Sequence, residues 1–346
     1  RRREVLAALS LAPLAAKADA APAADAGDGM ALAARIREGA LTAEKAAADA
    51  IAARDRMQPR LNFLAAPGFV PSLPGRPFSG VPILVKDLID VEGLPTRYGS
   101  RAYEGAAATG QSPYVDALRN AGFAIIGKCT TSEFGFLPTS EALGPGPTRN
   151  PWDPDRSTGG SSGGAAAAVA AGVVPIAHGG DGGGEIGIPA ACCGLFGLKP
   201  SRGRLIRVAP PPPRPVELGV QHVLTRSVRD SAMAFALTED TSANTPIGFV
   251  SGASERPLRI GFVEESMEGV AASDEVRAAF DAALRLLASL GLKPAKTRWP
   301  VKRGIMHHFL TYWAEGAMMQ EKATQAPERL EPFTRALAEH ARRMSA

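Results

Sequence analysis

The chain has 346 residues, 45% of them hydrophobic and 6% aromatic, with a mean hydropathy of -0.03; this composition can bury a large core and excludes a disordered class. Its formal net charge is +4, and half of that sits in the first twenty residues, where Arg1, Arg2, Arg3 and Lys17 face only Glu4 and Asp19. The other Lys and Arg residues are scattered, without interleaved aromatics or a basic stripe, so the charge gives no case for a nucleic-acid partner.

The first twenty residues read as an export signal: a twin-arginine start at Arg2-Arg3, an apolar run from Val5 to Ala16, and Ala18-Asp19-Ala20 as a small-residue cleavage site. A basic amphipathic N-terminal helix is the alternative. The first reading predicts a periplasmic protein and the second a cytoplasmic one. No run reaches the roughly 18 apolar residues that a membrane span requires.

From Met30 to Met57 the pattern is helical, interrupted at Gly39, with Thr42 as an N-cap, Glu44 in the next first turn and Pro59 closing the segment. Val81 to Val85 is a β-branched apolar run and reads as a buried strand delivering Lys86 at its end. Ser112 then caps a helix with Pro113 at its first position and Gly122 past its end, and Phe123 to Ile126 is the next strand. The alternation is α/β in kind.

The stretch from Arg156 to Pro200 holds two glycine-rich turns. Gly159 to Gly164 surround Ser161 and Ser162 with backbone free to take positive φ, and Ala165 to Ala171 follows as a tightly packed helix ending at Gly172. The plain reading of the two serines is helix capping. Val173 to Ala177 is then a buried strand, and Asp181-Gly182-Gly183-Gly184-Glu185 makes the second turn, whose bare N–H groups suit an oxyanion. Gly182, Gly184 and Gly187 also fit a dinucleotide fingerprint, but Pro189 stands where its helix should run, and no Lys-Ser or Lys-Thr follows the first turn as a phosphate loop demands.

Three cysteines, Cys129 and the adjacent Cys192 and Cys193, read as small core residues, and no Cys/His spacing suggests a metal site. Ala209 to Pro215, APPPPRP, reads as a surface loop. Leu258 to Val263 is a further strand, and Ser273 caps an amphipathic helix whose stripe runs Val276, Phe280, Leu284, Leu287 up to Gly291.

The segments GGSSGG, GVVPIAHGGDGGG and IPAACCGLFGLKP, with GVPILVKD, GPTRNPWD and HVLTRSVRD around them, resemble the amidase signature of serine amide hydrolases. The likeness runs from about Met30 onward, and His178-Gly179 and HVLTRSVRD look most like the branch of nylon-oligomer (aminohexanoate cyclic dimer) hydrolases. The resemblance implies an α/β amidase-signature fold over residues 30–346, a mixed twisted sheet surrounded by helices, and a chain shorter at its C-terminus than the family. It implies cofactor-free hydrolysis of small amides or amide oligomers, without a metal.

Carried over residue by residue, the family relay of lysine, cis-serine and nucleophilic serine falls on Lys86, Ser161 and position 185. Gly182, Gly183 and Gly184 fall on the oxyanion hole, and Ser162 and Asp181 on supporting positions. Position 185 is Glu185, and where the family has an arginine shortly after its serine this chain has Gly187. A carboxylate attacking an amide would have to form an anhydride, so the resemblance implies a severely impaired hydrolase; the alternatives are a binding-only relative and a hydrolase using Glu185 as general base. An ion pair of Lys86 with Glu185 at about 4 Å would be worth about 4 kcal/mol at a dielectric near 20, enough to keep the lysine charged.

Overall fold

The computed structural model describes residues 27–209, 217–242, 245–253, 258–301 and 304–345. The expected signal segment and the run Pro210 to Pro215 lie outside them. Two compact units divide the chain, one up to Val250 and one from Ser251.

The first unit is built on a six-stranded sheet of order β1-β3-β2-β4-β6-β5. Its strands are β1 (Leu64–Val70), β2 (Pro82–Lys86), β3 (Ala124–Cys129), β4 (Ile176–Asp181), β5 (Phe196–Gly197) and β6 (Val220–Thr225). β2 is parallel to both neighbours, β3 and β4, whereas β1, β6 and β5 join antiparallel, so the sheet is mixed. All five residues of β2 are buried, which is why it reads as a continuous apolar run rather than an alternating one.

Side chains leave β2 alternately to two cores. Ile83 and Val85 join Phe78, Tyr114, Phe123, Ile125, Val223 and Phe235 on one face. Leu84 joins Leu61, Phe63, Ile126 and Ala165 to Ala168 on the other. Helices α1 (Gly29–Arg37), α3 (Pro113–Ala121) and α6 (Val228–Thr238) supply the first core, and α2 (Ala43–Leu61), α4 (Gly163–Ala170) and α5 (Gly187–Cys193) the second. The α/β fold with a mixed sheet among helices is therefore as the resemblance implied.

Several local expectations are corrected. Pro59 does not end α2, which continues to Leu61 and stops at Asn62 in the left-handed region (φ 49°), because the carbonyl that Pro59 leaves without a donor belongs to exposed Asp55. Ser112 makes no side-chain cap; its hydroxyl donates to the Val208 carbonyl at 2.9 Å. β4 starts at Ile176, after Pro175, rather than at Val173. The glycines of the first turn serve close packing more than positive φ. Only Gly159 of that turn is left-handed (φ 67°), while a Cβ on Gly160 would meet the Thr139 carbonyl at 2.1 Å and one on Gly164 would meet Thr130 at 2.4 Å.

The second unit contains the short parallel pair β7 (Gly261–Phe262) and β8 (Ala295–Lys296), with α7 (Asp274–Ser289), α8 (Ile305–Ala323) and α9 (Pro332–Ser345). Ser273 caps α7 as expected, accepting from the Val276 N–H at 3.4 Å. The strand expected from Leu258 to Val263 shrinks to the two residues of β7, and no residue of α7 is buried. Among the described residues no helix is long and apolar enough to cross a membrane.

Candidate active site

Lys86 ends β2, and Ser161 and Ser162 lie just before α4, both fully buried. The Lys86 side chain is only 1% exposed, and its ammonium donates to Ser161 Oγ at 2.7 Å, Ser162 Oγ at 2.9 Å and the Gly180 carbonyl at 3.2 Å. Those three acceptors match its three protons. Neither serine caps α4 with its side chain, contrary to the plain reading, because both hydroxyls are committed to the lysine. The Gly160–Ser161 peptide bond is cis.

Burial pulls the Lys86 pKa down from 10.5 to about 8, against the attraction of Glu185 and, more weakly, of Cys129 and Asp181. The expected direct ion pair with Glu185 is not formed. Glu185 instead turns its carboxylate back on its own loop, where Oε2 accepts from the Gly182 N–H at 2.6 Å and the Gly183 N–H at 2.8 Å. The side chain is local and short enough to close this ring. Two charge-assisted bonds to backbone donors outcompete a lysine already satisfied by three oxygens.

Asp181 takes the other donors of the turn. Its Oδ1 accepts from the Gly184 N–H at 2.8 Å, and its Oδ2 accepts from Ile186 at 2.8 Å and Gly187 at 3.4 Å. Gly184 sits at φ 124°, a conformation that a residue with a Cβ adopts only under strain. The turn therefore splits its donors: Asp181 holds it together, and the N–H groups of Gly182 and Gly183 converge on one oxygen. Gly184, expected in the oxyanion hole with these two, donates to Asp181 instead.

Three supporting residues escaped the sequence reading. Ser140 Oγ donates to the Ser161 carbonyl at 3.0 Å and accepts from the Gly163 N–H at 2.9 Å, fixing the first turn on both sides of the paired serines. His178, on β4, accepts the Lys86 backbone N–H at Nδ1 (3.2 Å) and pairs through Nε2 with Gln221 Oε1 at 3.0 Å. The bare Nδ1 puts the ring proton on Nε2, and burial pushes the imidazole pKa down to about 3, so the ring is neutral. One signal was available for His178: a polar residue inside an apolar strand opposite the lysine strand. Asp87, next to Lys86, forms a buried ion pair with Lys128 at 2.8 Å and accepts from the Arg97 N–H. Among the described residues no group of three or more His, Cys, Asp or Glu is placed to hold a metal ion.

A buried lysine bonded to a cis-serine beneath a turn of convergent N–H groups is a constellation built for acyl transfer. The profile of the Amidase family matches residues 69–345, and the chain belongs to this family of amidase-signature proteins. It is 38% identical over 332 residues to the "Putative amidase AmiC" of Mycobacterium tuberculosis, covering 90% of this chain and 70% of that protein. It is 37% identical over 266 residues to a "Putative amidase" of Synechocystis, covering 74% of this chain and 52% of that protein. Among solved structures it is similar to 6-aminohexanoate cyclic dimer hydrolase, with a TM-score of 0.78 and 28% identity over 91% of this chain and 71% of that one.

Proposed function

We propose that this chain carries the site of a metal-free, cofactor-free amidase for small amides or amide oligomers, and that Glu185 silences hydrolysis while leaving the rest of the site assembled. The observation that supports this reading is the contact of the Glu185 carboxylate with the N–H groups of Gly182 and Gly183. Those two donors are where a carbonyl oxygen would be stabilised as it becomes negative, at about 3 kcal/mol per donor. Glu185 therefore removes two things together: the hydroxyl nucleophile and the free oxyanion hole.

In a Glu185→Ser variant, the hydroxyl oxygen attacks the amide carbon while its proton passes to Ser161 and from Ser161 to neutral Lys86. The carbonyl oxygen takes the vacated N–H pair. The proton then returns to the leaving nitrogen as the C–N bond breaks, and water hydrolyses the resulting ester. Amide hydrolysis by this variant exceeds that of the native chain by orders of magnitude, since nucleophile loss in analogous triads costs about 10⁶ in rate. A native chain as fast as the variant would defeat the proposal. It would favour Glu185 as general base, a role that requires the carboxylate first to leave both N–H donors. Amide binding without hydrolysis by either form would favour a binding-only relative.

The partner proposed is a small amide, the class of molecule named in the cyclic dimer hydrolase to which the chain is similar. Export by the twin-arginine route to the periplasm is proposed from residues 1–20. Fusion of these residues to a reporter tests it: secretion that fails when Arg2-Arg3 becomes Lys-Lys supports the route, and retention of the native fusion in the cytoplasm overturns it.

A further inference from the structure

The Glu185 carboxylate is satisfied at one oxygen and not at the other. Asp28, Asp230 and Glu239, which are also buried, accept hydrogen bonds at both carboxylate oxygens, and so does Asp181 in the same loop. Buried Asp87 does likewise and also pairs with Lys128. Glu185 gives Oε2 to the N–H groups of Gly182 and Gly183, whereas among the described residues its Oε1 accepts no hydrogen bond and the side chain forms no ion pair. The residue is only 8% exposed, so this oxygen sits largely withdrawn from water without the partner that buried charges ordinarily have.

The surroundings offer no donor to fill the gap. Lys86 feels the Glu185 charge, but its three protons are spent on Ser161, Ser162 and the Gly180 carbonyl. The Ser162 hydroxyl donates in turn to the same Gly180 carbonyl at 3.3 Å. Asp181 brings a second carboxylate to the loop, so two negative groups stand against one ammonium and the site is one positive charge short. Gly187, the next residue but one after Glu185, has no side chain to supply it. A Cβ there would meet nothing within 4 Å, which leaves open space on this side of the loop. The Ser162 N–H donates to the Glu185 carbonyl at 3.3 Å, which fixes the unfilled charge beside the paired serines.

We infer that the native chain binds the primary ammonium group of an alkylamine at Glu185 Oε1, in the place where a Glu185→Ser variant takes an amide. An ammonium brings both things this oxygen lacks, an N–H donor and a positive charge. An amide carbonyl, by contrast, needs the Gly182 and Gly183 donors that Oε2 already holds. The inference rests on the reading of the site as an assembled amide site blocked by Glu185, and adds to it a ligand for the native chain.

The test is titration calorimetry at pH 7 with hexylammonium chloride and hexanamide, which share an alkyl chain and differ in the head group. With a pKa close to that of a lysine side chain, about 10.4, the amine is fully protonated there. The native chain should bind hexylammonium about tenfold more tightly than hexanamide, the order of gain that a charge-assisted hydrogen bond gives. Glu185→Gln keeps an oxygen for the Gly182 and Gly183 N–H groups but removes the charge; it should lose the preference while retaining the native melting transition. Glu185→Ser should reverse the preference, and it provides the comparison if Glu185→Gln does not fold. Hexylammonium binding to the native chain no tighter than hexanamide, or a preference that survives both substitutions, overturns the ammonium site. Hexanamide binding to Glu185→Ser would then leave the amide site standing. Failure of both ligands to bind any form overturns the amide site and the ammonium site together.

Discussion

Lys86 provides the sharpest physical test, because its burial has a consequence that can be measured without any substrate. The folded-state pKa is about 8 against 10.5 for a free lysine, so between these values the unfolded chain binds a proton that the folded chain does not. Stability contributed by this group therefore rises with pH across that window. A shift of about 2.5 units is worth about 3 kcal/mol. The assay is denaturant unfolding of the native chain and of Lys86→Met at intervals from pH 7 to pH 10.5. Buried Cys129, whose pKa burial raises to about 12, and Tyr114, also pushed up by burial, act in the opposite direction above pH 9, so the difference between the two curves is the quantity to read. The native chain should gain about 3 kcal/mol on the variant between pH 8 and 10.5, with a constant difference below pH 7.5. Parallel curves throughout would refute the argument that desolvation outweighs the pull of Glu185.

His178 gives the acid counterpart: with its pKa depressed from 6.5 to about 3, the native chain should lose about 5 kcal/mol relative to His178→Asn as pH falls from 6.5 to 3, read from the difference in denaturant midpoints. Gly164→Ala should destabilise the first unit by about 1–3 kcal/mol, because the added methyl meets Thr130 at 2.4 Å and the core cannot yield freely; a thermal melt unchanged from native would contradict the packing account. Glu185→Ala should vacate the N–H pair and let formate bind with a dissociation constant on the order of millimolar, seen as shifts of the Gly182 and Gly183 amide resonances that the native chain does not show.

Lys86 and Ser161 are legible through the family likeness alone: by itself Lys86 reads as an ordinary lysine after a strand and Ser161 as a helix cap. The mixed sheet follows from the same family likeness. The direction of Glu185 is not legible. Spacing puts its Cα in the second turn, but whether the carboxylate meets Lys86 or its own loop depends on which donors remain unsatisfied after folding. Ser140 was invisible for a related reason, as its two bonds join segments twenty or more residues apart in the chain. The glycines of the first turn are legible only in part: a run of glycines advertises freedom of φ, which Gly159 uses, and nothing in it announces that Thr139 and Thr130 press against the backbone at Gly160 and Gly164. The apolar stripe on α7 is legible as a pattern, yet no residue of the helix is buried, because burial within a fold is a tertiary fact that periodicity alone does not determine.

The most direct measurement of the central claim is covalent labelling with a fluorophosphonate, which a nucleophilic serine attacks at phosphorus with loss of fluoride. Glu185→Ser treated with the probe and digested for mass spectrometry should carry the adduct on residue 185, and a further Lys86→Met substitution should remove it. The native chain should carry no adduct at Ser161, Ser162 or Glu185. A native chain labelled at the site, or a folded Glu185→Ser variant that remains unlabelled, would contradict the account that one carboxylate occupies an otherwise assembled site.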